Sequence, residues 1–190
     1  MTYDIAAFRA DVRNRLGDFR WRHSVCVAES SEALAVRYGG DPAQAYAAGL
    51  LHDILKEQPK AEALAFFAAH GTVLTPVERA APKLWHAMAG AIYIEETYAL
   101  EPALIGAVRY HTTGRADMTL TEKILFVADF ISADRDYPGV EDMRARAEVS
   151  LERAMYEGLR FTIYELSERG AAIHPDTVAC YNQIVLSERN

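Results

Sequence analysis

The chain has 190 residues, 51% of them hydrophobic and 25% charged, with 20 Lys and Arg against 27 Asp and Glu for a formal charge of −7. That balance excludes disordered and fibrous classes, and no run approaches the roughly 18 apolar residues of a membrane span. The excess of acid argues against a general nucleic-acid surface, yet leaves room for a small phosphorylated ligand, because a local metal centre outweighs the global charge.

Residues 1–8 lack the basic start and apolar core of a secretory signal, which predicts a cytoplasmic protein. Apolar residues recur at helical spacing almost throughout and alternating β-branched runs are missing, so the fold class is expected to be all-α. Ile5, Phe8, Val12 and Leu16 mark a helix over 4–16 that ends at Gly17. A second, over 19–38, stops at Gly39-Gly40. Asp41-Pro42 supplies an N-cap with proline at the first helical position and opens a helix through His52-Asp53 to about Lys56, where Pro59 blocks continuation. An alanine-rich helix over 60–69 ends near Gly71, and Pro76 and Pro82 bracket a connecting segment. Helices over 84–98, 102–111 and 119–134 follow, the last opened by Thr119 or Thr121. Tyr137-Pro138-Gly139 leads into one long helix over 140–169 that Gly170 caps, and His174-Pro175-Asp176 starts the final one. Without repeats or linker-like stretches, 1–190 reads as a single-domain helical bundle: a core over about 19–134 with C-terminal helices over 140–188 packed on it.

Four histidines and two aspartates fall inside core helices or at their ends: His23, His52, Asp53, His86, His111 and Asp129. Asp129 lies in Ile124-Leu125-Phe126-Val127-Ala128-Asp129-Phe130-Ile131, and a carboxylate buried there needs a compensating cation. Lys123 and Arg135 are each six residues away, neither an i±3 nor an i±4 neighbour, so a metal is the expected partner. Adjacent on a helix, His52 and Asp53 project about 100° apart and can converge on one ion. Along the face of His86, Ala89 and Gly90 would let another helix approach closely. The competing reading is a set of buried helix-to-helix hydrogen bonds, which leaves six polar groups to be satisfied separately. Nitrogen and carboxylate donors without thiolate suit Fe, Mn, Co, Ni or Zn better than Mg or Ca. Four histidines and two aspartates suffice for a buried centre of two ions bridged by one carboxylate, and such a pair holds the hydroxide wanted for phosphoester or phosphoanhydride hydrolysis.

The order His23, His52-Asp53, Asp129 is that of the HD-domain metal-dependent phosphohydrolases, and Lys56 after the pair strengthens the likeness. Longer motifs narrow it: Tyr110-His111-Thr112-Thr113-Gly114-Arg115, Glu122-Lys123-Ile124 with Ala128-Asp129, Arg135-Asp136-Tyr137-Pro138-Gly139-Val140, and Ile173-His174-Pro175 with Thr177-Val178. Together they resemble the YqeK-like branch, the bacterial symmetrical diadenosine tetraphosphatases, from about Phe19 to the C-terminal helix. The resemblance implies an HD-type bundle with two divalent transition-metal ions, iron foremost. One ion would be held by His23, His52, Asp53 and Asp129, the other by His86 and His111 with Asp53 bridging, the ligands sitting on five successive helices. It further implies Asp53 and Lys56 as catalytic groups, and Arg20, Lys56, Thr112, Thr113, Gly114, Arg115 and Arg135 beside the substrate phosphates. The implied activity is hydrolysis of Ap4A to two ADP. The alternatives are another nucleotide substrate, or a non-catalytic nucleotide-binding or regulatory module, which lost ligands would favour; none is missing. The chain departs from the family at Ala87-Met88, where Gly-Pro usually follows the histidine, at Cys26, which replaces a common glycine, and at Ser132-Ala133-Asp134, where Glu-Pro-Gly is usual. These bear on pocket shape.

Other features read more plainly. Cys26 and Cys180 are expected to be reduced core residues. His70 suits a helix C-terminus and His174 a cap. Tyr156, Phe161 and Tyr164 read as core or homodimer contacts rather than a base-stacking platform, and Glu141-Asp142-Met143-Arg144-Ala145-Arg146 as a solvated first turn.

Overall fold

Capping chemistry sets most of the helix boundaries in the computed structural model, which describes residues 2–187. The helices are α1 (Ile5–Arg15), α2 (Asp18–Tyr38), α3 (Pro42–Leu51), α4 (Lys60–Ala69), α5 (Pro76–Ala80), α6 (Trp85–Tyr98), α7 (Pro102–Tyr110), α8 (Leu120–Ile131), α9 (Val140–Ala147), α10 (Leu151–Glu168) and α11 (Pro175–Ser187), with a 3-10 turn at Pro82–Leu84. No strand occurs among the described residues, so the all-α expectation holds. None of these helices is long and apolar enough to cross a membrane. The last helix was expected to reach 188, a position outside the described residues.

Asp41 caps α3 through the amides of Ala43 and Gln44, as its Asp-Pro start predicts. The end of α3 differs from expectation. His52 Nδ1 donates to the Gly49 carbonyl at 2.7 Å, taking the acceptor that the amide of residue 53 would need to continue the helix. Residues 52–57 therefore form tight turns, with Ile54 N bonded to Leu51 O and Lys56 N to Asp53 O. The expected connecting segment between Pro76 and Pro82 holds a short helix, because Thr75 and Glu78 form a reciprocal capping box. Thr119, not Thr121, caps α8, again with a capping box, through Glu122.

The single helix expected over 140–169 is two. Arg37 bonds the Glu148 carbonyl and Tyr38 OH donates to Ala147 O at 2.6 Å, so α2 satisfies the last carbonyls of α9. Ser150 then turns extended and caps α10 through the Arg153 amide. α8 also ends early, at Ile131, and Arg144 of α9 donates to the carbonyls of Ile131, Ser132 and Arg135 just beyond it. That contact holds α9 against the exit of α8.

The core is centred where α2, α3, α7 and α8 pack. Close helix approach falls at Gly49 rather than at Gly90. A Cβ on Gly49 would lie 2.6 Å from Ala28 Cα and 2.8 Å from Ala28 N, both backbone of α2, whereas on Gly90 it would meet only side chains at 3.5 Å or more. Gly49→Ala is expected to destabilise the fold by about 1–3 kcal/mol, read as a lower urea midpoint. An unchanged midpoint would mean that α2 and α3 separate without cost.

Cys180 is buried, and burial pushes its thiol up to about 11. Cys26 is only half-buried, contrary to the expectation for both cysteines. His70 Nδ1 donates to the Phe66 carbonyl at 2.6 Å, and Asp176 N donates to His174 Nδ1 at 3.2 Å, so both perform the terminal roles expected of them. Tyr156 stacks on Tyr181, but Phe161 and Tyr164 are 57% and 60% exposed and do not belong to the core.

Candidate metal centre

His23 comes from α2, His52-Asp53 from the turn after α3, His86 from the first turn of α6, His111 from the residue after α7, and Asp129 from α8. The five elements are not successive, since α4, α5 and the 3-10 turn intervene between Asp53 and His86. All six side chains nonetheless converge. The imidazoles form a row with ring centroids 5.2 Å apart from His23 to His52, 5.0 Å from His52 to His111, and 5.0 Å from His111 to His86.

Two groups have potential ligand atoms within 4.8 Å of one another: His23 with His52 and Asp129, and His52 with Asp53 and His111. His86 adjoins the second, its Nε2 lying 3.0 Å from Asp53 Oδ1 and 3.1 Å from His111 Nε2. Asp53 Oδ1 is also 3.6 Å from His111 Nε2, while Oδ2 is 3.6 Å from His52 Nε2. One carboxylate thus faces three imidazoles.

The ring nitrogens are oriented by the backbone. His52 Nδ1 donates to Gly49 O and His111 Nδ1 to Val108 O at 2.8 Å, which turns both Nε2 atoms inward. His52 is fully buried, and its Nε2 has no hydrogen-bond partner. A lone pair left unpaired inside a protein is costly, and here it points among carboxylates and imidazoles, which is the donor set a divalent cation takes. Burial lowers the His52 pKa to about 3 and that of His86 to about 4, so both rings are neutral at neutral pH. For Asp53, burial would raise the pKa, but the surrounding imidazoles and Lys56 reverse this and hold it well below the usual range. Neutral imidazoles and ionised carboxylates are the forms that ligate metal.

The structure corrects the inference that no cation reaches Asp129. Because α8 stops at Ile131, the chain doubles back and Arg135 binds both the Asp129 carboxylate and, through Nε at 2.6 Å, its carbonyl. Asp129 Oδ1 also lies 3.0 Å from His23 Nε2. The other ring nitrogen of His23, Nδ1, donates to Asp134 Oδ2 at 2.8 Å, and Ser132 Oγ in turn bonds Asp134 Oδ1 at 2.7 Å. In the sequence Asp134 is only a departure from the family pattern, since a carboxylate five residues from another carries no periodic signal.

Of the expected phosphate contacts, three gather. Arg20, Lys56 and Arg135 line a cavity of about 450 Å³ with His86, and Lys60 and Lys83, which the sequence did not single out, complete a wall without carboxylates. Lys56 Nζ lies 3.3 Å from Asp53 Oδ1 and 3.1 Å from His86 Nε2, and Arg20 lies 3.6 Å from Asp53 Oδ2. Thr112 lines a second cavity of about 380 Å³ with His111, Asp129 and Arg135, its Oγ1 buried and unpartnered. Thr113 is buried, also with an unpartnered Oγ1. Gly114 packs beside Cys180, and Arg115 is taken up by Glu122 at 2.9 Å and by the Ala116 carbonyl, in a separate depression. Neither Gly114 nor Arg115 is brought to the cluster, because the loop after His111 turns toward α11.

A helical bundle that converges buried imidazoles and carboxylates beside a basic cavity defines a metal-dependent phosphohydrolase. The HD domain family matches residues 20–134. The symmetrical bis(5'-nucleosyl)-tetraphosphatases of Bacillus subtilis (strain 168) and Halalkalibacterium halodurans are similar at 35% and 36% identity, over 93% and 94% of this chain and 95% of each relative. The crystal structure of a predicted HD superfamily hydrolase involved in NAD metabolism from Clostridium acetobutylicum superposes with a TM-score of 0.93 at 28% identity, each chain covered completely. The chain belongs to the HD domain family, in the branch of the symmetrical bis(5'-nucleosyl)-tetraphosphatases.

Proposed function

We propose that this protein hydrolyses Ap4A to two ADP in the cytoplasm, as one domain spanning 1–190. The observation that carries the reading is the unpartnered His52 Nε2, buried among five further donors beside the cavity of Arg20, Lys56 and Arg135. His23, His52, Asp53 and Asp129 would hold one divalent ion, and His86 and His111 a second with Asp53 between them. Iron is the ion we favour among Fe, Mn, Co, Ni and Zn. Bound there, the ions supply Lewis acidity toward phosphoryl oxygens and an activated water. Lys56, Arg20 and Arg135 neutralise charge on the phosphates as the leaving ADP departs. The net charge of −7 fits a small-molecule partner held by this local basic wall and not a nucleic acid.

The test is an activity panel on metal-reconstituted protein over dinucleoside polyphosphates, nucleoside mono-, di- and triphosphates and guanosine tetraphosphate. Preferred turnover of Ap4A supports the reading. Turnover of another nucleotide alone would keep the centre and change the substrate, and no turnover with bound metal would favour a regulatory module.

Asp134 enters through His23. A carboxylate on the outer ring nitrogen fixes the ring and raises its basicity as a ligand. Asp134→Ala is expected to weaken metal binding by about 10- to 100-fold in competition with a chelating dye, and Asp134→Asn, which keeps an acceptor, by less. Equal affinities in all three proteins would remove Asp134 from the centre.

A further inference from the structure

The cavity that holds Thr112, His111 and Asp129 shares three walls, Phe130, Tyr137 and Phe161, with a neighbouring groove of about 360 Å³. We propose that this groove is a nucleobase subsite, in which one base of the dinucleotide stacks on Phe161 and Tyr164 while the phosphates attached to it lie against Arg135. The inference rests on the functional reading above and adds to it where the base goes.

Packing and a hydrogen bond position the inner wall of the groove, Phe130 and Tyr137. A Cβ on Gly158 would lie 3.0 Å from the Phe130 ring, so the glycine lets α10 approach α8 without displacing that ring. Tyr137 OH donates to the Phe130 carbonyl at 3.0 Å and holds the loop after α8 against the same ring. Phe161 and Tyr164 then stand three residues apart, on one face of α10, and both line the groove. Each is more than half exposed, unlike Tyr156, whose ring is already stacked on Tyr181.

Continuity decides the kind of occupant. A molecule lying in the groove touches Phe130, Tyr137 and Phe161, and its next atoms enter a cavity bounded by Asp129, Arg135 and the unpartnered Thr112 hydroxyl. A flat ring joined to a phosphate chain has that shape, and about 360 Å³ is within the size of small-molecule pockets. Charge points the same way. The two arginines at the groove, Arg146 and Arg160, are both taken by Glu157, at 3.5 and 2.8 Å, which leaves little positive charge for phosphate. Asp142 also lines the groove and is exposed, an acceptor for the exocyclic amino group of a base and a repellent for phosphate. Phosphates are thus directed to the arginine end and the base to the aromatic end.

The test compares metal-loaded wild type with Phe161→Ala and Phe161→Tyr, a surface position at which truncation leaves the core intact. Calorimetric titrations use ADP, which carries the base, and inorganic pyrophosphate, which does not. Phe161→Ala is expected to raise the ADP dissociation constant about tenfold, with pyrophosphate unchanged and Phe161→Tyr close to wild type. With Ap4A, KM should rise while kcat stays level. Equal loss for both ligands, or no loss for either, overturns the subsite. So does a change in sedimentation mass, which would make the groove a contact with a second copy of the chain. If wild type hydrolyses Ap4A and the Phe161 variants match it, only the subsite fails. If wild type neither binds ADP nor hydrolyses Ap4A, the functional reading fails and takes the subsite with it.

Discussion

Asp53→Ala is expected to abolish turnover and to bring bound metal close to zero. Its carboxylate faces His86 at 3.0 Å and His111 and His52 at 3.6 Å, so it sits where both proposed ions would need a shared anion. Losing a group that only supports a ligand costs about 10- to 100-fold, and losing the shared ligand itself must cost more than that. The fold should survive. The cations beside Asp53, Arg20 and Lys56, have side chains 31% and 28% exposed, so solvent screens them once the carboxylate is gone. Circular dichroism and a thermal melt would verify this before metal analysis and kinetics are read. Full metal content with more than about a tenth of wild-type activity would refute the shared role.

Much of this centre is legible in the sequence because its six residues fall inside core helices or directly at their ends. His23 and Asp129, more than a hundred residues apart, meet at 3.0 Å because α2 and α8 each present one apolar face to the core. What the sequence hides are side chains that act on distant backbone. His52 ends α3 by taking the Gly49 carbonyl, and Arg37 and Tyr38 end α9 from another helix. Neither act leaves a local pattern. Helical spacing puts Arg135 out of reach of Asp129, and it arrives because the helix has already stopped. Arg115 shows the converse: a motif residue adjoining the cluster in sequence is directed away by an ion pair with Glu122.

The second large effect concerns where the substrate is cut, and it is all or none. Arg135 borders both the basic cavity and the one that leads to Phe161, so a dinucleoside tetraphosphate can lie with half its length on each side of the centre. Under the proposed function its central P–O–P linkage would then lie beside Asp53 and Asp129. Attack by a solvent oxygen on an inner phosphorus, in line with the departing ADP, yields two ADP and no AMP or ATP. In ¹⁸O-water each turnover should therefore label just one of the two ADP molecules, at its terminal phosphate, since the other leaves with the bridging oxygen. Label in neither product would mean that the oxygen gained by phosphorus comes from a side-chain carboxylate, as when water opens an acyl phosphate at its carbon, and the proposed site assigns no nucleophilic side chain to that task. AMP and ATP in equal amounts would mean that the break falls between an outer and an inner phosphorus. The substrate would then lie shifted by one phosphate across Arg135, and the two cavities could not be the two halves of a symmetric site.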